Sequence, residues 1–298
     1  MKKTISFVGS INGLMCIARG PSVCICNPIT REYVMLPEIN RDCGDYYDFW
    51  ASSFGYVSST NEYKVVVIYV SERKTHVEVR IYTIGSGTGW RNIGKFNFGS
   101  NLHNSKKVLF ANGALYWMDD GSGKVVTFDL AEEKFFENLS PPPLPQDGEC
   151  CHNRIWVLNG SLFYAVVDEE DGFFDLQLLE KKNNNHDMKV SDQHQSLGWS
   201  KWFRVDDREV LAFTKRDAVL TYRYWYINIY HTKTSTSKGL AQFKNMVHQV
   251  SPHKNTLVSL KEQGEKDTRI MESDEIEKTK GREQPQKDAN PEYIIVNW

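Results

Sequence analysis

The amino-acid sequence predicts an all-β fold, a β-propeller of about six blades that are built from short antiparallel strands. The first observation is a repeated motif in which an Asn-Gly turn leads into an apolar strand, at Asn12-Gly13, Asn112-Gly113 and Asn159-Gly160. The second is its spacing, because Asn112 and Asn159 are 47 residues apart and Asn12 precedes Asn112 by 100, close to two such intervals. A repeat of roughly 45–50 residues that carries three or four strands is typical of propeller blades.

The third observation is that residues 110–143 contain one complete unit of antiparallel sheet. Apolar residues surround the Asn112-Gly113 turn, and Val125–Phe128 is rich in β-branched and aromatic residues, as strands are. Lys134–Leu139 then predicts an outer strand, and the prolines that follow end it because proline cannot donate to a sheet ladder. Three strands alone cannot bury both of their faces, so this unit needs neighbours like itself.

The chain before this unit divides into similar sets of strands. The pattern predicts them at Gly9–Cys16, Ser22–Cys26, Tyr33–Leu36, Phe54–Tyr56, Tyr63–Val70, Glu78–Thr83 and Trp90-Arg91. Lys64–Tyr69 is nearly continuous in apolar residues, which predicts a strand that is covered on both faces. Residues 38–53 are predicted to form a polar loop that carries an aromatic cluster.

The chain after this unit continues the pattern to about residue 260. Strands are predicted at Arg154–Val167, Phe173–Leu179, Trp199–Arg204, Glu209–Thr214, Val219–Tyr222, Trp225–Tyr230, Val247–Val250 and Thr256–Leu260. Lys181–Ser196 and Thr232–Lys238 lack periodicity and predict exposed loops or turns. We therefore expect one propeller domain over residues 1–260. Residues 261–298 are rich in charges of both signs and poor in apolar residues, which predicts a disordered tail.

Composition excludes several classes of function. A net charge of −2 argues against a nucleic-acid groove, which needs clustered Lys and Arg. No run of eighteen apolar residues is present, so we expect no membrane span. The apolar run near the start is interrupted by Gly9-Ser10 and Asn12-Gly13, which is unlike a secretory signal. The six cysteines lack zinc or redox spacing, so we expect reduced thiols in a cytoplasmic or nuclear protein, and neither a metal nor a cofactor.

Two sets of residues are the best candidates for contact with a partner protein. Aromatic side chains in exposed connections are typical binding anchors. The first set lies between aspartates in the predicted loop 38–53, and the second lies between two predicted strands. They are Tyr46, Tyr47, Phe49 and Trp50, followed by Tyr222, Arg223, Tyr224 and Trp225. Packing of these rings against their own domain is the alternative for both sets.

Possible catalytic motifs have simpler structural explanations. In Asn27–Glu32, the Asn and Thr side chains can bond the backbone of a turn, and Asp129 can cap the next one. Gly85–Trp90 resembles the Asp-box of sialidase propellers, but its central Asp is missing. The eight histidines are scattered, and no nucleophile or phosphate-loop motif is present. We therefore assign no catalytic residue, and a sugar-binding or sugar-cleaving propeller stays as the alternative function.

The order of several short motifs resembles the F-box-associated domain of the plant F-box protein family. The motifs are Gly9–Cys16, Asn27–Glu32 with Leu36-Pro37, Phe54-Gly55-Tyr56, Glu62–Val66, Val79–Thr83 with Trp90-Arg91, Asn112–Trp117, Phe128-Asp129-Leu130 and Glu133-Lys134-Phe135. The resemblance covers residues 5 to about 260 and is strongest up to about residue 142.

This resemblance implies a kelch-like propeller that captures a target protein for ubiquitination. In that family an N-terminal helical F-box binds the Skp adaptor of a cullin ubiquitin ligase, and the associated domain binds the target. This sequence starts directly at the associated domain, so we expect Skp and cullin as partners only if an F-box is present elsewhere in the gene product. The alternatives are a truncated product, a fragment or a free binding module.

Overall fold

Strands and turns make up the described part of the chain. The structure is a computed structural model that describes residues 5–19, 22–39, 47–71, 76–97, 108–119, 122–142, 151–168, 173–181, 197–206, 209–213, 218–223, 225–243, 250–272 and 294–297. Within these ranges the chain forms no helix. Accordingly, none of these segments is a long apolar helix of the kind that crosses a membrane.

Five antiparallel sheets, each of four consecutive strands, form the blades in the described residues. Blade 1 contains β1 (Ile5–Ile11), β2 (Leu14–Arg19), β3 (Ser22–Cys26) and β4 (Glu32–Met35). Blade 2 contains β5 (Tyr47–Val57), β6 (Glu62–Ser71), β7 (His76–Thr83) and β8 (Trp90–Asn97). Blade 3 contains β9 (Leu109–Ala111), β10 (Ala114–Met118), β11 (Val125–Asp129) and β12 (Lys134–Phe135). Blade 4 contains β13 (Cys151–Leu158), β14 (Ser161–Asp168), β15 (Phe173–Lys181) and β16 (Leu197–Asp206), and blade 5 contains β17 (Glu209–Phe213), β18 (Ala218–Arg223), β19 (Tyr226–His231) and β20 (Thr236–Gln242).

The first strand of each blade is its innermost strand. β1 contacts β5, β5 contacts β9, β9 contacts β13 and β13 contacts β17, so the blades follow one another around a common axis. β21 (Val250–His253) contacts both β17 and β1 and closes the ring. The prediction of about six blades is corrected to five. In the described residues after 243, the sixth position holds only β21, whose partner is a parallel strand near the C-terminus.

Asn-Gly turns join the first two strands of blades 1, 3 and 4. Asn12, Asn112 and Asn159 have φ values of 49°, 48° and 51°, and each is followed by a glycine with φ between 81° and 84°. Positive φ at both central residues is the geometry of a type I′ turn, whose twist matches that of the flanking strands. The repeated sequence motif is thereby confirmed as a hairpin turn at the start of a blade.

The core is a series of apolar layers between adjacent blades. Between blades 2 and 3, Trp117 and Phe128 pack in one cluster with Val66 and Ile68. Val65, which neighbours Val66 on β6, packs instead in the cluster between blades 1 and 2. Because alternate side chains of a strand point to opposite faces, β6 is buried continuously from residue 63 to 70. The expectation that this strand is covered on both faces is confirmed.

Residues 254–271, here named the C-terminal strap, run over blades 1 and 2. Leu260 is completely buried in the cluster between these two blades. The Glu265 carboxylate accepts hydrogen bonds from the Tyr82 hydroxyl at 3.2 Å and from the Gly85 N–H at 2.7 Å. β22 (Arg269–Ile270) then pairs with β4.

The strap bears on the predicted domain boundary at residue 260. Residues 261–272, whose charges predict disorder, are packed on the propeller because Leu260 and Glu265 anchor them. Thr256–Leu260, which was expected to be a strand, has no strand pairing, and its last residue, Leu260, begins a turn. β23 (Ile294–Asn297) pairs in parallel with β21. Residues 273–293 lie outside the described part of the chain, and the disordered tail remains a prediction for them.

Gly85→Ala is expected to destabilise the protein by about 2 kcal/mol more than Gly87→Ala. Both glycines have similar φ values, 75° and 70°, so the backbone strain of an added Cβ is nearly the same at the two positions. A Cβ on Gly85 would lie 1.6 Å from the Gln263 carbonyl oxygen of the strap, whereas one on Gly87 would meet no atom within 4 Å. Urea unfolding of both variants measures the difference. Equal losses of unfolding free energy in the two variants would mean that the strap does not pack closely against this turn.

Candidate functional site

The direction of the innermost strands divides the propeller into two faces. The upper face is the one at which the innermost strands begin, and the lower face is the one at which they end. Because strands within a blade alternate in direction, the turn between the second and third strands returns to the upper face. The Asn-Gly turns and the turns between the third and fourth strands lie on the lower face.

The first set of predicted contact residues lies at the start of β5, on the upper face. Tyr47, Phe49 and Trp50 belong to this innermost strand of blade 2, so their prediction as loop residues is wrong. Tyr47 pairs with Ser71, while Trp50 is the additional residue at a break in register between Phe49 and Ala51. The bulge of a single residue hides the strand alternation in the sequence. Tyr46 lies outside the described residues.

The second set lies at the turn between β18 and β19, also on the upper face. Tyr222 and Arg223 end β18, and Tyr224 lies outside the described residues. Trp225, which belongs to the predicted set, and Tyr226, which the sequence pattern assigned only to a strand, are 43% and 44% exposed. The topology thus places the described members of both predicted sets on one face, in blades 2 and 5. A large apolar side chain beside a turn was the signal that could have included Tyr226.

A partly buried ion network joins blades 2 and 3 near the lower face. Glu133, in the turn after β11, accepts two hydrogen bonds from the Arg91 guanidinium, at 2.5 and 3.0 Å, and one from Lys64 Nζ at 2.9 Å. Lys64 also donates to the Leu130 carbonyl at 2.9 Å. Burial by itself would raise the pKa of the Glu133 carboxyl, but the hydrogen bonds from Arg91 and Lys64 outweigh it and lower that pKa. The hydrogen bond to Glu133 likewise raises the pKa of Arg91. Both cationic side chains therefore donate to acceptors within the network, which links blade 2 to blade 3. Lys64, Arg91 and Glu133 are here named the clamp.

Two sequence motifs have the structural roles expected for them. The Asn27 side chain accepts a hydrogen bond from the Ile29 N–H at 2.9 Å, which closes the turn as predicted. Asp129 accepts hydrogen bonds from the N–H groups of Ala131 and Glu132, at 2.8 and 2.7 Å. Both carboxamide and carboxylate therefore cap turns on the lower face.

The glycine-rich segment before Trp90 is a docking turn for the strap. Gly85 donates its N–H to Glu265 of the strap, and the Trp90 indole N–H donates to the Pro37 carbonyl at 2.7 Å. Burial, together with the nearby Glu265 carboxylate, raises the pKa of Tyr82 to about 12. The segment thus joins blades 1 and 2 through the strap and through residue 37.

The acidic residues of the innermost strands are Asp48 on β5 and Glu209 on β17, which belong to blades 2 and 5. Ser10 Oγ lies 2.7 Å from His253 Nδ1, but His253 Nε2 has no hydrogen-bond partner among the described residues, so no Ser-His-acid relay is formed there. Burial lowers the pKa of His253. The described part of the chain also contains no group of His, Cys, Asp and Glu that would hold a metal ion. Cys16, Cys24 and Cys26 are free thiols, and burial raises the pKa of Cys16.

Comparison with known proteins identifies relatives of this propeller. The family model described as the F-box associated beta propeller domain matches residues 1–202. Putative F-box protein At3g52320 of Arabidopsis thaliana is 28% identical over 181 residues, which cover 58% of this chain and 44% of that protein. F-box protein At2g21930 of the same plant is 29% identical over 148 residues, covering 44% of this chain and 36% of that protein.

A third relative, putative F-box protein At1g32420 of Arabidopsis thaliana, is 32% identical over 151 residues, covering 47% of this chain and 46% of that protein. The match therefore spans less than half the length of each of these relatives. The match to the family model is longer and includes blades 1 to 3 and most of blade 4. The chain belongs to the F-box associated beta propeller domain family.

Proposed function

We propose that this chain is a non-catalytic protein-recognition module, the substrate-binding part of an SCF-type E3 ubiquitin ligase receptor. It binds a target protein by surface complementarity while other subunits transfer ubiquitin. Contact with the Skp and cullin subunits requires a gene product that carries an F-box, and the relatives are named F-box proteins. We place this activity in the cytoplasm or the nucleus.

The observation that carries the proposal is the location of the candidate aromatic residues on the upper face. The start of β5 and the turn between β18 and β19 lie on that face, and Trp225 and Tyr226 are exposed there. Exposed Trp and Tyr residues supply large contact areas at low cost in side-chain entropy, and they dominate the energies of many interfaces. A rigid ring of blades that presents such turns is suited to hold a partner protein.

Truncating the exposed aromatic residues of the upper face is expected to abolish target capture. We would fuse a biotin ligase to the chain in plant cells and compare the wild type with a Trp225→Ala/Tyr226→Ala variant. The recovery of specific partners should fall by at least about tenfold, because interface hot spots commonly contribute 2 kcal/mol or more. The control is Ile29→Ala/Leu257→Ala, which removes two exposed apolar side chains on the lower face and on the strap.

Two results would contradict the proposal. One is a Trp225→Ala/Tyr226→Ala variant that unfolds at the wild-type temperature and still labels every partner. The other is turnover of fluorogenic glycosides by the purified chain, which would favour a sugar-cleaving propeller. A screen on immobilised glycans separates sugar binding from protein binding in the same way.

A further inference from the structure

β20, the outermost strand of blade 5, is exposed along its whole length. All seven residues from Thr236 to Gln242 are exposed. The other outermost strands differ: β4 is covered by β22, β12 has two residues, and the described side chains of β8 and β16 are in part covered. β20 differs because no complete blade packs next to blade 5 on that side of the ring among the described residues. An exposed outer strand offers its backbone N–H and C=O groups to another chain.

Gly239 lies in the middle of β20, at a position where the described chain would accept a larger residue. A Cβ added there would have Asn228 Oδ1 as its nearest atom, at 3.9 Å, and the residue does not need a positive φ. The fold of this chain therefore does not require glycine at position 239. Glycine within a strand often marks a place where another backbone approaches closely.

Exposed apolar side chains lie beside this edge. Leu240 is 55% exposed and is the additional residue of a β-bulge, since Ile227 pairs with Ala241 and Asn228 pairs with Gly239. Tyr226 is opposite Gln242, whose side-chain amide donates to the Tyr226 hydroxyl at 3.1 Å. Trp225 precedes Tyr226 and is also exposed. Together they form an apolar end to the strand, towards the upper face.

The segment of sequence that contains β20 carries charge of a single sign. Residues 218–261 contain no Asp or Glu, although they contain six Lys and Arg residues and the whole chain has a net charge of −2. Of these basic residues, Lys238 lies on β20 and Lys233 in the turn before it, and both are exposed. Such a surface attracts acidic groups and repels basic ones.

We propose that the edge of β20 is a docking site for an acidic, extended segment of the protein that this chain recognises, which adds to blade 5 as a further strand. Backbone hydrogen bonds along β20 hold the segment, alternate apolar side chains contact the Leu240 and Tyr226 region, and a carboxylate pairs with Lys238. The inference rests on the proposed function in one respect, that the segment belongs to the captured protein.

The test measures binding of short peptides to the full chain by fluorescence anisotropy. The probes are labelled heptapeptides with Val at alternate positions and either Glu or Lys at the others, which match the seven residues of β20. We expect the Glu peptide to bind at least about tenfold more tightly than the Lys peptide, and Lys238→Glu to weaken the Glu peptide by about tenfold. Leu240→Ser should weaken it as well. The control Lys266→Glu makes the same charge change at an exposed residue of the strap and should leave binding unchanged.

Hydrogen exchange locates the bound peptide. Strand addition predicts that exchange of the 236–242 amides slows only when the Glu peptide is present. Equal binding of both peptides, no binding, or unchanged exchange in β20 would overturn the proposal. Slow exchange of the 236–242 amides without peptide would mean that the acidic residues of the chain after 272 cover this edge. Tight binding of a single-stranded oligonucleotide would mean that the edge binds nucleic acid. Either result also overturns the proposal. If the peptides fail while Trp225→Ala/Tyr226→Ala still loses its partners, the proposed function stands without this site.

Discussion

Replacing Glu133 by glutamine is expected to lower the free energy of unfolding by about 3 kcal/mol. The change keeps the size of the side chain but removes the charge that Lys64 and Arg91 share. Lys64 is the critical partner because its side chain is only 6% exposed, so its ammonium group would stay buried with the Leu130 carbonyl and with Glu62 at 3.6 Å. The variant would leave this buried charge with only the half-exposed Glu62 carboxylate as a counter-ion, which approaches the costly case of a buried charge without its partner. Thermal and urea unfolding measure the loss.

Glu132→Gln is the matched control for this variant. It makes the same change one residue earlier, at a carboxylate whose side chain is 60% exposed and pairs with an exposed Lys134. Exposed ion pairs contribute about 0–1 kcal/mol, so this variant should be nearly as stable as the wild type. Equal effects of the two changes would show that the clamp between blades 2 and 3 does not contribute more than a surface pair.

The pH dependence of the unfolding free energy is an independent test of the contribution of the same clamp. The folded state lowers the pKa of Glu133 below its ordinary value of 4.5, so the unfolded chain binds a proton at this carboxyl first as the pH falls. The stabilisation is therefore complete above about pH 4.5 and is lost as the pH falls through the folded pKa. Glu133→Gln should remove this part of the acid sensitivity.

The propeller could be predicted because its turns depend on local chemistry. Asn12, Asn112 and Asn159 all adopt positive φ before a glycine, and few residues other than Asn and Gly tolerate this conformation. The buried β6 was predictable for a similar reason, since a strand that is covered on both faces has few positions for polar residues. Both features can be recognised within a few residues of sequence.

The elements that the sequence did not reveal depend on contacts between distant parts of the chain. The first residues of β20, Thr236–Lys238, were predicted to belong to a turn or loop because small polar residues lack strand alternation, whereas the structure pairs them with β19. The start of β5 was predicted to be a loop because aspartates interrupt the aromatic residues. A sixth blade was predicted because the length of the repeat does not show how many strands follow residue 243. The face shared by the two candidate sets follows from strand direction, which is a property of the assembled ring.

The strap is the clearest case of a distant contact, and Asn27→Asp is expected to release it. Asn27 is completely buried, and its side-chain amide donates to the Thr256 carbonyl at 3.1 Å and to the Val258 carbonyl at 2.7 Å. Aspartate has the same shape but no donor, so it would face two carbonyl oxygens with a negative charge. The loss of two buried hydrogen bonds and the repulsion should cost about 3–4 kcal/mol. Exchange of the 254–265 amides should become faster, and urea unfolding should occur at lower concentration.

The Asn112→Asp variant is the control, because it makes the same change at an exposed asparagine in another turn of the lower face. Its stability should change by less than about 0.5 kcal/mol, since Asp also tolerates the left-handed region. Acid should partly repair Asn27→Asp relative to the wild type at the same pH, because a protonated carboxyl regains one donor. If the 254–265 amides of Asn27→Asp exchange as slowly as in the wild type, Asn27 does not hold the strap. The strap would then depend on Glu32, which accepts from Ser259 Oγ and the Leu260 N–H, and on the bonds of Glu265.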